Sequence, residues 1–315
     1  PEPTKVTSWP FFSNPSLREL CNPLYSPINK ILINFSTFVQ IWFLMNNVAN
    51  KNATLEILVS TKDQNNDTFI HKMFKNCPNF SHQVLVINQS NNKLNIYKDN
   101  FHVINSDEIG LSRSRNLAIK TAKSDLCLFS DDDIIYEPNF DSVVIKAFDL
   151  LPDADIITFQ MNDFEGNLFK KYPKISLHNK KSVSIVNSVV IAFRRASVKS
   201  NHVLFDTNFG LGSIFETADE YVFLRNALDK KLKIYHHPSV ILSHNIESSG
   251  QKAGSDKIIF ARGGLFAKYY GILSYFKLFH YIFLLFKLKF ISFDQVILKY
   301  SKGLEGIKRY NKIKI

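Results

Sequence analysis

The chain of 315 residues is long enough to bury a large hydrophobic core, and its content of 45% hydrophobic and 21% charged residues excludes a globally disordered protein. The three cysteines, Cys21, Cys77 and Cys127, are scattered and lack the spacing of metal ligands. We therefore expect reduced packing residues of a cytosolic protein rather than a disulfide framework. The formal net charge is +11, and almost all of it falls after residue 256.

Residues 1–50 are predicted to form an N-terminal extension before the main domain. Residues 1–10 begin without methionine and carry prolines at positions 1, 3 and 10, as expected where an end has been trimmed or added. Residues 31–46 are largely apolar but interrupted by polar residues, and no basic region or small-residue cleavage site marks a signal peptide. We predict a helix here that packs on the core or lies at a surface.

From residue 51 onward the apolar pattern alternates between strands and helices. Strands are predicted at residues 55–60, 84–88, 102–104, 126–129 and 155–159, and helices near residues 68–75, 112–122 and 140–151. This alternation is typical of an α/β fold with a mostly parallel central sheet flanked by helices. No GxGxxG follows a strand and no GxxxxGK precedes Ser or Thr, so a nucleotide would not be held in the Rossmann or P-loop manner.

Three consecutive carboxylates, Asp131, Asp132 and Asp133, follow the apolar run at residues 126–129. They are predicted to lie where a central strand leaves the sheet, which is where open α/β sheets bind ligands. Adjacent carboxylates repel one another, and a divalent cation carrying a diphosphate would hold them together, because hard oxygen ligands suit Mg²⁺ or Mn²⁺. The alternative is an acidic turn exposed to solvent.

The segment Gly110–Ile119 is predicted to form the other half of a nucleotide site. Its glycine and serine open a helix whose first amide groups favour anions. Arg113 and Arg115 can add charge-assisted hydrogen bonds to a phosphate or a base edge. The alternative is a basic helix face in solvent.

Residues 273–315 are predicted to form a C-terminal basic amphipathic helical extension. From Lys257 onward, 12 lysines and arginines are balanced by only two acids, Asp294 and Glu305, and aromatic residues lie between the basic ones. The longest uncharged stretch, Leu278–Phe286, has nine residues, whereas a spanning helix needs roughly 20. We expect an interfacial segment on an anionic membrane surface. The alternatives are a tail packed on the domain and a nucleic-acid patch.

Several segments in this order resemble family 2 glycosyltransferases of the GT-A fold, which are inverting enzymes that build bacterial surface polysaccharides. The matching segments are residues 55–64, 84–90, 110–119, 130–138, 209–212, 217–224, 243–250 and 262–264. The resemblance covers roughly residues 53–272. It implies a GT-A domain over residues 51–272, with a nucleotide-sugar half at residues 51–138 and an acceptor half at residues 139–272.

The resemblance implies that Asp131 and Asp133 are the two acids of a DxD motif. Asp131 or Asp132 would face the ribose, and Asp133 would bind the metal that bridges the diphosphate, with Asp131 as a further candidate ligand. His244 would complete the metal shell or touch the diphosphate. As a metal ligand it would favour Mn²⁺ over Mg²⁺, because imidazole is softer than carboxylate. The alternative for His244 is a structural histidine.

The same resemblance implies that Thr61, Asp63 and Arg113 contact the nucleotide. The family often has an aspartate at the end of the second strand, where it accepts a hydrogen bond from the uracil N–H. Asn88 stands at that position in this chain, and its amide oxygen could accept the bond instead.

The acidic pair Asp219-Glu220 would supply the general base that deprotonates the acceptor hydroxyl. The pair usually reads Glu-Asp in the family, and Glu220 holds the second position, so we expect Glu220 to be the base. In-line attack would invert the anomeric centre. An acidic pair at a helix start also complements the helix dipole, so helix stabilisation is the alternative.

Acceptor recognition is expected from Ser182–Arg195, predicted as a β-rich stretch, and from the loop Asn208–Gly212. The processive synthases of this superfamily carry a Gln-x-x-Arg-Trp motif, whereas tryptophan occurs here only at Trp9 and Trp42. The resemblance is therefore to an enzyme that adds a single sugar.

These expectations describe a metal-dependent inverting glycosyltransferase of the hexosyltransferase type. It would move one sugar from a nucleoside-diphosphate sugar, expected to be UDP-linked, to a hydroxyl of a glycan or lipid-linked acceptor. We expect it in the cytoplasm, peripheral on the inner face of the plasma membrane, with no nucleic-acid partner. The alternatives are a nucleotidyl- or phosphotransferase that uses the same acids, and a non-catalytic basic membrane-binding module.

Overall fold

The computed structural model describes residues 53–96, 99–245 and 253–314. These residues belong to one compact unit, Ala53–Ile315. The predicted N-terminal extension lies outside the described residues, and so do residues 246–250 of the segment that begins at Ser243.

Eight strands and eight α-helices are described. The strands are β1 (Leu55–Lys62), β2 (Gln83–Gln89), β3 (Phe101–Ser106), β4 (Leu126–Asp131), β5 (Ile135–Tyr136), β6 (Ile156–Asn162), β7 (Ile191–Arg194) and β8 (Ile234–Ser243). The helices are α1 (Thr68–Met73), α2 (Leu111–Thr121), α3 (Phe140–Leu150), α4 (Arg195–Ser200), α5 (Asp219–Asp229), α6 (Asp256–Tyr270), α7 (Ser274–Lys287) and α8 (Val296–Lys314).

The strands form one sheet in the order β3-β2-β1-β4-β7-β6-β8-β5. Strands β3, β2, β1 and β4 are mutually parallel, so the predicted parallel sheet is confirmed for the first half of the chain. In the second half β7 is antiparallel to both β4 and β6, while β6 and β8 are parallel. The register pairs Ser60 with Asp131 and Thr61 with Asn88. The polar residues that follow the apolar strands therefore meet at one edge of the sheet.

The prediction of a β-rich stretch at Ser182–Arg195 is wrong for most of its length. Two short 3₁₀ helices, Ser182–Ile185 and Ser188–Val190, precede the strand β7. The side-chain oxygen of Asn179 accepts a hydrogen bond from the backbone N–H of Ser182, and the Ser184 hydroxyl donates to the Lys181 carbonyl at 2.7 Å. Asparagine and serine side chains that bond nearby backbone in this way compete with strand pairing.

The last three helices fold against one another, and α8 lies along α6. Glycines make this close approach possible, because a Cβ atom on Gly263 would lie 2.1 Å from the Gly303 carbonyl oxygen. Helix α6 also packs on the main domain, with Gly264 against the ring of Phe215. The predicted helical extension is thus present as α7 and α8, and part of it packs on the domain. The division at residue 272 stays a prediction.

Candidate active site

Arg115 in α2 joins two of the predicted site acids through one buried guanidinium. Its Nη2 lies 2.9 Å from Oδ1 of Asp131 and 2.8 Å from the Ser188 hydroxyl, and its Nη1 donates to Oδ2 of Asp219. The Arg115 side chain is only 1% exposed, and the ring of Phe205 lies beneath its guanidinium. A buried guanidinium requires charged partners, so the two ion pairs fix the end of β4 relative to the start of α5.

The charges in this cluster depend on one another. Burial raises the pKa of Asp131 even though the adjacent Arg115 guanidinium opposes the shift. Burial alone would lower the pKa of Arg115, but the charges of Asp131, Asp219 and Glu220 raise it. The arginine therefore stays charged, and the carboxylates depend on it for compensation in a poorly solvated place.

Asp132 is held against the end of β1. Its Oδ2 accepts hydrogen bonds from the Thr61 hydroxyl and from the side-chain amide of Gln64, the second at 2.9 Å. Two neutral donors thus satisfy a carboxylate whose own neighbours are acidic. The predicted repulsion among the three acids is relieved by protein groups, since each acid has a different partner.

Asp133 is the most exposed of the three acids, at 59%, and His244 approaches it from the end of β8. Nε2 of His244 lies 3.3 Å from Oδ1 of Asp133, and Nδ1 of His244 lies 2.7 Å from the Asn245 carbonyl oxygen. The hydrogen bond to Asn245 places a proton on Nδ1, which leaves Nε2 as an acceptor in the neutral ring. Two acceptors then face each other, and a shared proton or a cation must lie between them.

The pKa values of this pair agree with that geometry. The His244 hydrogen bond lowers the pKa of Asp133 although its partial burial acts in the opposite direction. Burial would lower the pKa of His244, but the bond to Asp133 raises it. Within the described part of the chain, no three His, Cys, Asp or Glu residues form a ready-made metal cluster. Any metal here would take its remaining ligands from a substrate or from water, as Mg²⁺ commonly does.

A cavity of about 430 Å³ lies beside the three acids. Thr61, the acidic cluster and two glycine loops line it. The loops meet at Gly110 and Gly212, where the Leu111 N–H donates to the Leu211 carbonyl at 2.9 Å. Gly212 has a φ of +74°, and a Cβ there would lie 3.2 Å from the Gly110 Cα. Glycine is required at this contact for both reasons.

Asn88 is fully buried and holds the turn after β1 rather than lining the cavity. Its Oδ1 accepts from the Gln64 N–H at 3.2 Å, and its Nδ2 donates to the Gln64 carbonyl and to Asn105. Gln64 in turn reaches Asp132. The predicted contact between Asn88 and a base stays a prediction, and the position has a clear structural role.

Asp63 and Arg113, two other predicted nucleotide contacts, do not line this cavity, although an Arg113 guanidinium nitrogen would lie 3.6 Å from a Cβ on Gly110, which does. Asp63 is exposed at a φ of +56°, and its carboxylate is 3.9 Å from Lys62. Arg113 lines a second cavity of about 570 Å³ together with Lys120 and His202. That cavity is larger, but none of the three acids lines it.

Asp219 and Glu220 open α5, and the structure distinguishes between them. Asp219 is buried, bound to Arg115, and covered by Gly210, where a Cβ would lie 3.1 Å from the Asp219 Cβ. Glu220 is partly buried and has no ion pair with any described residue. Burial, and next the charge of Asp219, raise the pKa of Glu220 to about 8. Asp219 is occupied by its ion pair with Arg115, whereas the carboxylate of Glu220 can still take up a proton. Glu220 is therefore the one suited to accept a proton near neutral pH.

Lys170 is a site residue that the sequence analysis missed. Its Nζ donates to the side chain of Asn187 and to the Ile185 carbonyl, within the 3₁₀ segment that also supplies Ser188. Burial lowers the pKa of Lys170 to about 8, while the charge of Glu220 acts in the opposite direction. No spacing or motif marks this lysine, because its position depends on the long loop after β6.

Arg115 was expected to bond a phosphate or a base edge, but in the structure its guanidinium is buried and binds Asp131 and Asp219. The burial pattern of α2 explains the difference, because Ser112, Ala118 and Ile119 are buried with it. These residues lie three or four positions from Arg115 and share its helix face. Helical periodicity could therefore have indicated an inward-facing arginine, which requires buried acids.

Residues 83–221 match the family model described as glycosyl transferase family 2. Among solved structures, residues 1–349 of TarS from S. aureus align with a TM-score of 0.53 at 13% identity, over 82% of this chain and 83% of that one. The same fragment in complex with UDP-GlcNAc aligns with a TM-score of 0.50 at 14% identity, with the same coverage of both chains. A longer TarS chain aligns with a TM-score of 0.51 at 14% identity, over 82% of this chain and half of that one.

No curated protein sequence matches the chain significantly. The matched region nevertheless runs from β2 into α5 and includes Arg115, the acidic cluster and Asp219-Glu220. The resemblance to family 2 glycosyltransferases and the GT-A-like fold are therefore confirmed.

Proposed function

We propose that this family 2 glycosyltransferase transfers one sugar from a nucleoside-diphosphate sugar to a hydroxyl of a glycan or lipid-linked acceptor, with inversion, in bacterial surface-polysaccharide synthesis. The observation that carries the proposal is the bond pattern of Arg115. One guanidinium joins the DxD acid Asp131 to the start of the helix that bears Glu220. The two elements to which we assign donor binding and the general base are thereby held next to each other.

The cavity between the acidic cluster and the glycine loops is the place we assign to the donor. The first amide groups of α2 favour a diphosphate, and Asp131 and Asp132 offer acceptors for ribose hydroxyls. A UDP-sugar is our first expectation, and the TarS fragment that shares this fold has been solved with UDP-GlcNAc. Thr61 lies at the same wall and can bond either the ribose or a phosphate.

Asp133 and His244 are the residues we assign to a divalent cation, Mn²⁺ or Mg²⁺. Their facing acceptor atoms suit a cation, and the carbonyl of Asn245 fixes the ring tautomer that a metal ligand needs. When bound, such an ion would neutralise charge on the departing diphosphate without proton transfer. The mixed nitrogen and oxygen ligand set favours Mn²⁺ over Mg²⁺.

Glu220 is the residue we assign as general base. Its raised pKa makes it a stronger base than an ordinary carboxylate, while Asp219 is engaged by Arg115 and keeps α5 in position. Removal of the acceptor proton by Glu220 as the oxygen attacks the anomeric carbon would give a single displacement and inversion. The charge of Arg115 opposes the rise in the pKa of Glu220 and would favour its ionised form.

A panel of sugar nucleotides tests this assignment. We expect one donor to raise Tm and to release free nucleoside diphosphate, with both effects reduced in Asp133→Ala. Glu220→Gln should keep the Tm shift and lose turnover. Label from the nucleotide appearing in the product, instead of in free nucleoside diphosphate, would contradict sugar transfer and select a nucleotidyltransferase.

A further inference from the structure

Helix α7 carries apolar side chains on two faces, and only one face is covered within the described chain. The covered face packs into the cluster shared with α6 and α8 and consists of Ser274, Leu278, Ile282 and Leu285. The other face presents Phe276, Phe279 and Phe283, which are 73%, 65% and 52% exposed. Their spacing of three and four residues places these rings on one side of the helix.

The exposed apolar surface continues on both sides of α7. Ile272 and Leu273 precede the helix, and the exposed residues after it are Leu288, Phe290, Phe293, Ile297 and Leu298. We call this surface the outer α7 surface. Exposed apolar side chains in this number, so close together along the chain, mark an interaction site.

The charge around the outer α7 surface indicates the partner. From Lys257 to Phe293 there are six basic residues and no acid, and Lys277, Lys287 and Lys289 are exposed beside the aromatic rings. A second copy of the chain would bring the same uncompensated positive charge against it. Residues 1–50 contain three basic and two acidic residues and offer no net negative charge. The partner of the outer α7 surface should therefore combine apolar groups with negative charge. A bilayer with anionic headgroups has that chemistry.

The geometry favours a helix lying on the bilayer over one that crosses it. By length and composition alone, the run Asp256–Lys287 qualifies as a candidate span, with a mean hydropathy of 1.2. The run is broken at Gly271, whose φ is +51°, and α6 is fixed to the domain through Gly264 and Phe215. A straight span would have to remove α6 from these contacts.

We propose that the outer α7 surface inserts its aromatic side chains into the interfacial region of an anionic phospholipid bilayer, with the flanking lysines at the headgroups. This surface is separate from the donor cavity and goes beyond the proposed transfer reaction. It places the enzyme peripherally, on the inner face of the plasma membrane, where a lipid-linked acceptor would be within reach.

Vesicle flotation of the full chain tests the proposal. We expect binding to phosphatidylcholine vesicles that contain about 30% phosphatidylglycerol and weak binding to phosphatidylcholine alone. The triple variant F276Q/F279Q/F283Q should lower the partition coefficient at least about 100-fold, because each buried phenylalanine contributes strongly to transfer. The variant K277Q/K287Q/K289Q should lower the partition coefficient on the order of 100-fold, and only on anionic vesicles. High salt should reduce the binding of the wild-type protein to the same extent.

The matched control is L150Q/L204Q, which changes exposed leucines elsewhere on the domain and should leave binding unchanged. Circular dichroism and the Tm show whether each variant is folded, and because neither needs turnover they keep this test independent of the proposed reaction. Unchanged binding of the phenylalanine variant would overturn the proposal. A wild-type dimer that this variant dissociates, without vesicle binding, would assign the surface to self-association. Resistance to alkaline carbonate extraction would instead indicate a membrane span.

Discussion

Asp131 and Asp219 lie at the ends of different elements of the fold, and both bind the same buried guanidinium, that of Arg115. The arginine has a third bond to Ser188, so three segments of the chain converge on one side chain. Because all its ion-pair partners are acids of the proposed site, Arg115 couples the stability of the fold to the arrangement of that site.

Arg115→Lys should therefore lower both stability and turnover. A lysine ammonium cannot bridge two carboxylates and a hydroxyl in the planar geometry of a guanidinium. Breaking a buried ion pair typically costs about 3–5 kcal/mol, and we expect a loss near the lower end because one charge is retained. Urea unfolding and steady-state kinetics measure the two effects. The control is Arg113→Lys in the same helix, which should leave the unfolding free energy within about 0.5 kcal/mol of wild type.

Substitution of the two acids in α5 should separate their roles. Glu220→Gln is expected to lower kcat by about 10²–10⁴-fold while donor binding persists, because it removes only the proton acceptor. Asp219→Asn should instead destabilise the fold, since it leaves Arg115 with less compensating charge. Equal loss of stability in both variants, with kcat retained in Glu220→Gln, would assign the base elsewhere.

The pH dependence of kcat should follow Glu220. Its pKa is raised from 4.5 to about 8, so activity should rise with pH through this range as the carboxylate forms. The folded protein holds this proton more tightly than the unfolded chain. The resulting stability is therefore fully present below about pH 4.5 and is lost as the pH rises through about 8. Glu220→Gln should raise Tm by at least about 2 °C under alkaline conditions, and differential scanning fluorimetry across pH would measure it.

The predicted metal ligands can be tested by direct binding of Mn²⁺. Electron paramagnetic resonance of Mn²⁺ with the nucleoside diphosphate present should show affinity losses of about 10–100-fold in His244→Ala and more in Asp133→Ala. Asp149→Asn is the matched control, because this carboxylate is exposed near the end of α3 and does not line the donor cavity. Mn²⁺ affinity that is the same in all three variants would exclude Asp133 and His244 as ligands.

Two glycines with positive φ provide a test of the loop that covers Asp219. Gly210 has a φ of +102°, and a Cβ there would lie 3.1 Å from Asp219 and from the Ser112 hydroxyl. Gly166 has a φ of +88° and no heavy atom near its Cβ position. Both alanine variants should lose about 1–3 kcal/mol from backbone strain. Gly210→Ala alone should also lower kcat, and a similar loss of kcat in Gly166→Ala would show that strain rather than the contact is responsible.

Much of the fold could be predicted from the sequence because β1, β2 and β4 are buried on both faces and each contains a short run of apolar residues. The acids after β4 could be placed at the sheet edge for the same reason. The stretch Ser182–Arg195 could not be predicted correctly, because local side-chain bonds of Asn179 and Ser184 override the β-branched composition.

The contacts within the site were less predictable than its location. Strand order places Asp131 near β1, but only the tertiary packing of α2 brings Arg115 between Asp131 and Asp219. The contact of Lys170 with Asn187 depends on a long loop without a repeating pattern, which no periodicity constrains. The pairing of Asp133 with His244 follows the family resemblance, and the structure brings the two side chains together.

Sugar transfer with inversion is tested most directly by a proton NMR time course with the donor that the sugar-nucleotide panel identifies and an acceptor hydroxyl. We predict that wild-type protein releases nucleoside diphosphate and forms a product whose anomeric configuration is opposite to that of the donor, and that Glu220→Gln does neither. A product with retained configuration, or undiminished turnover in Glu220→Gln, would contradict it.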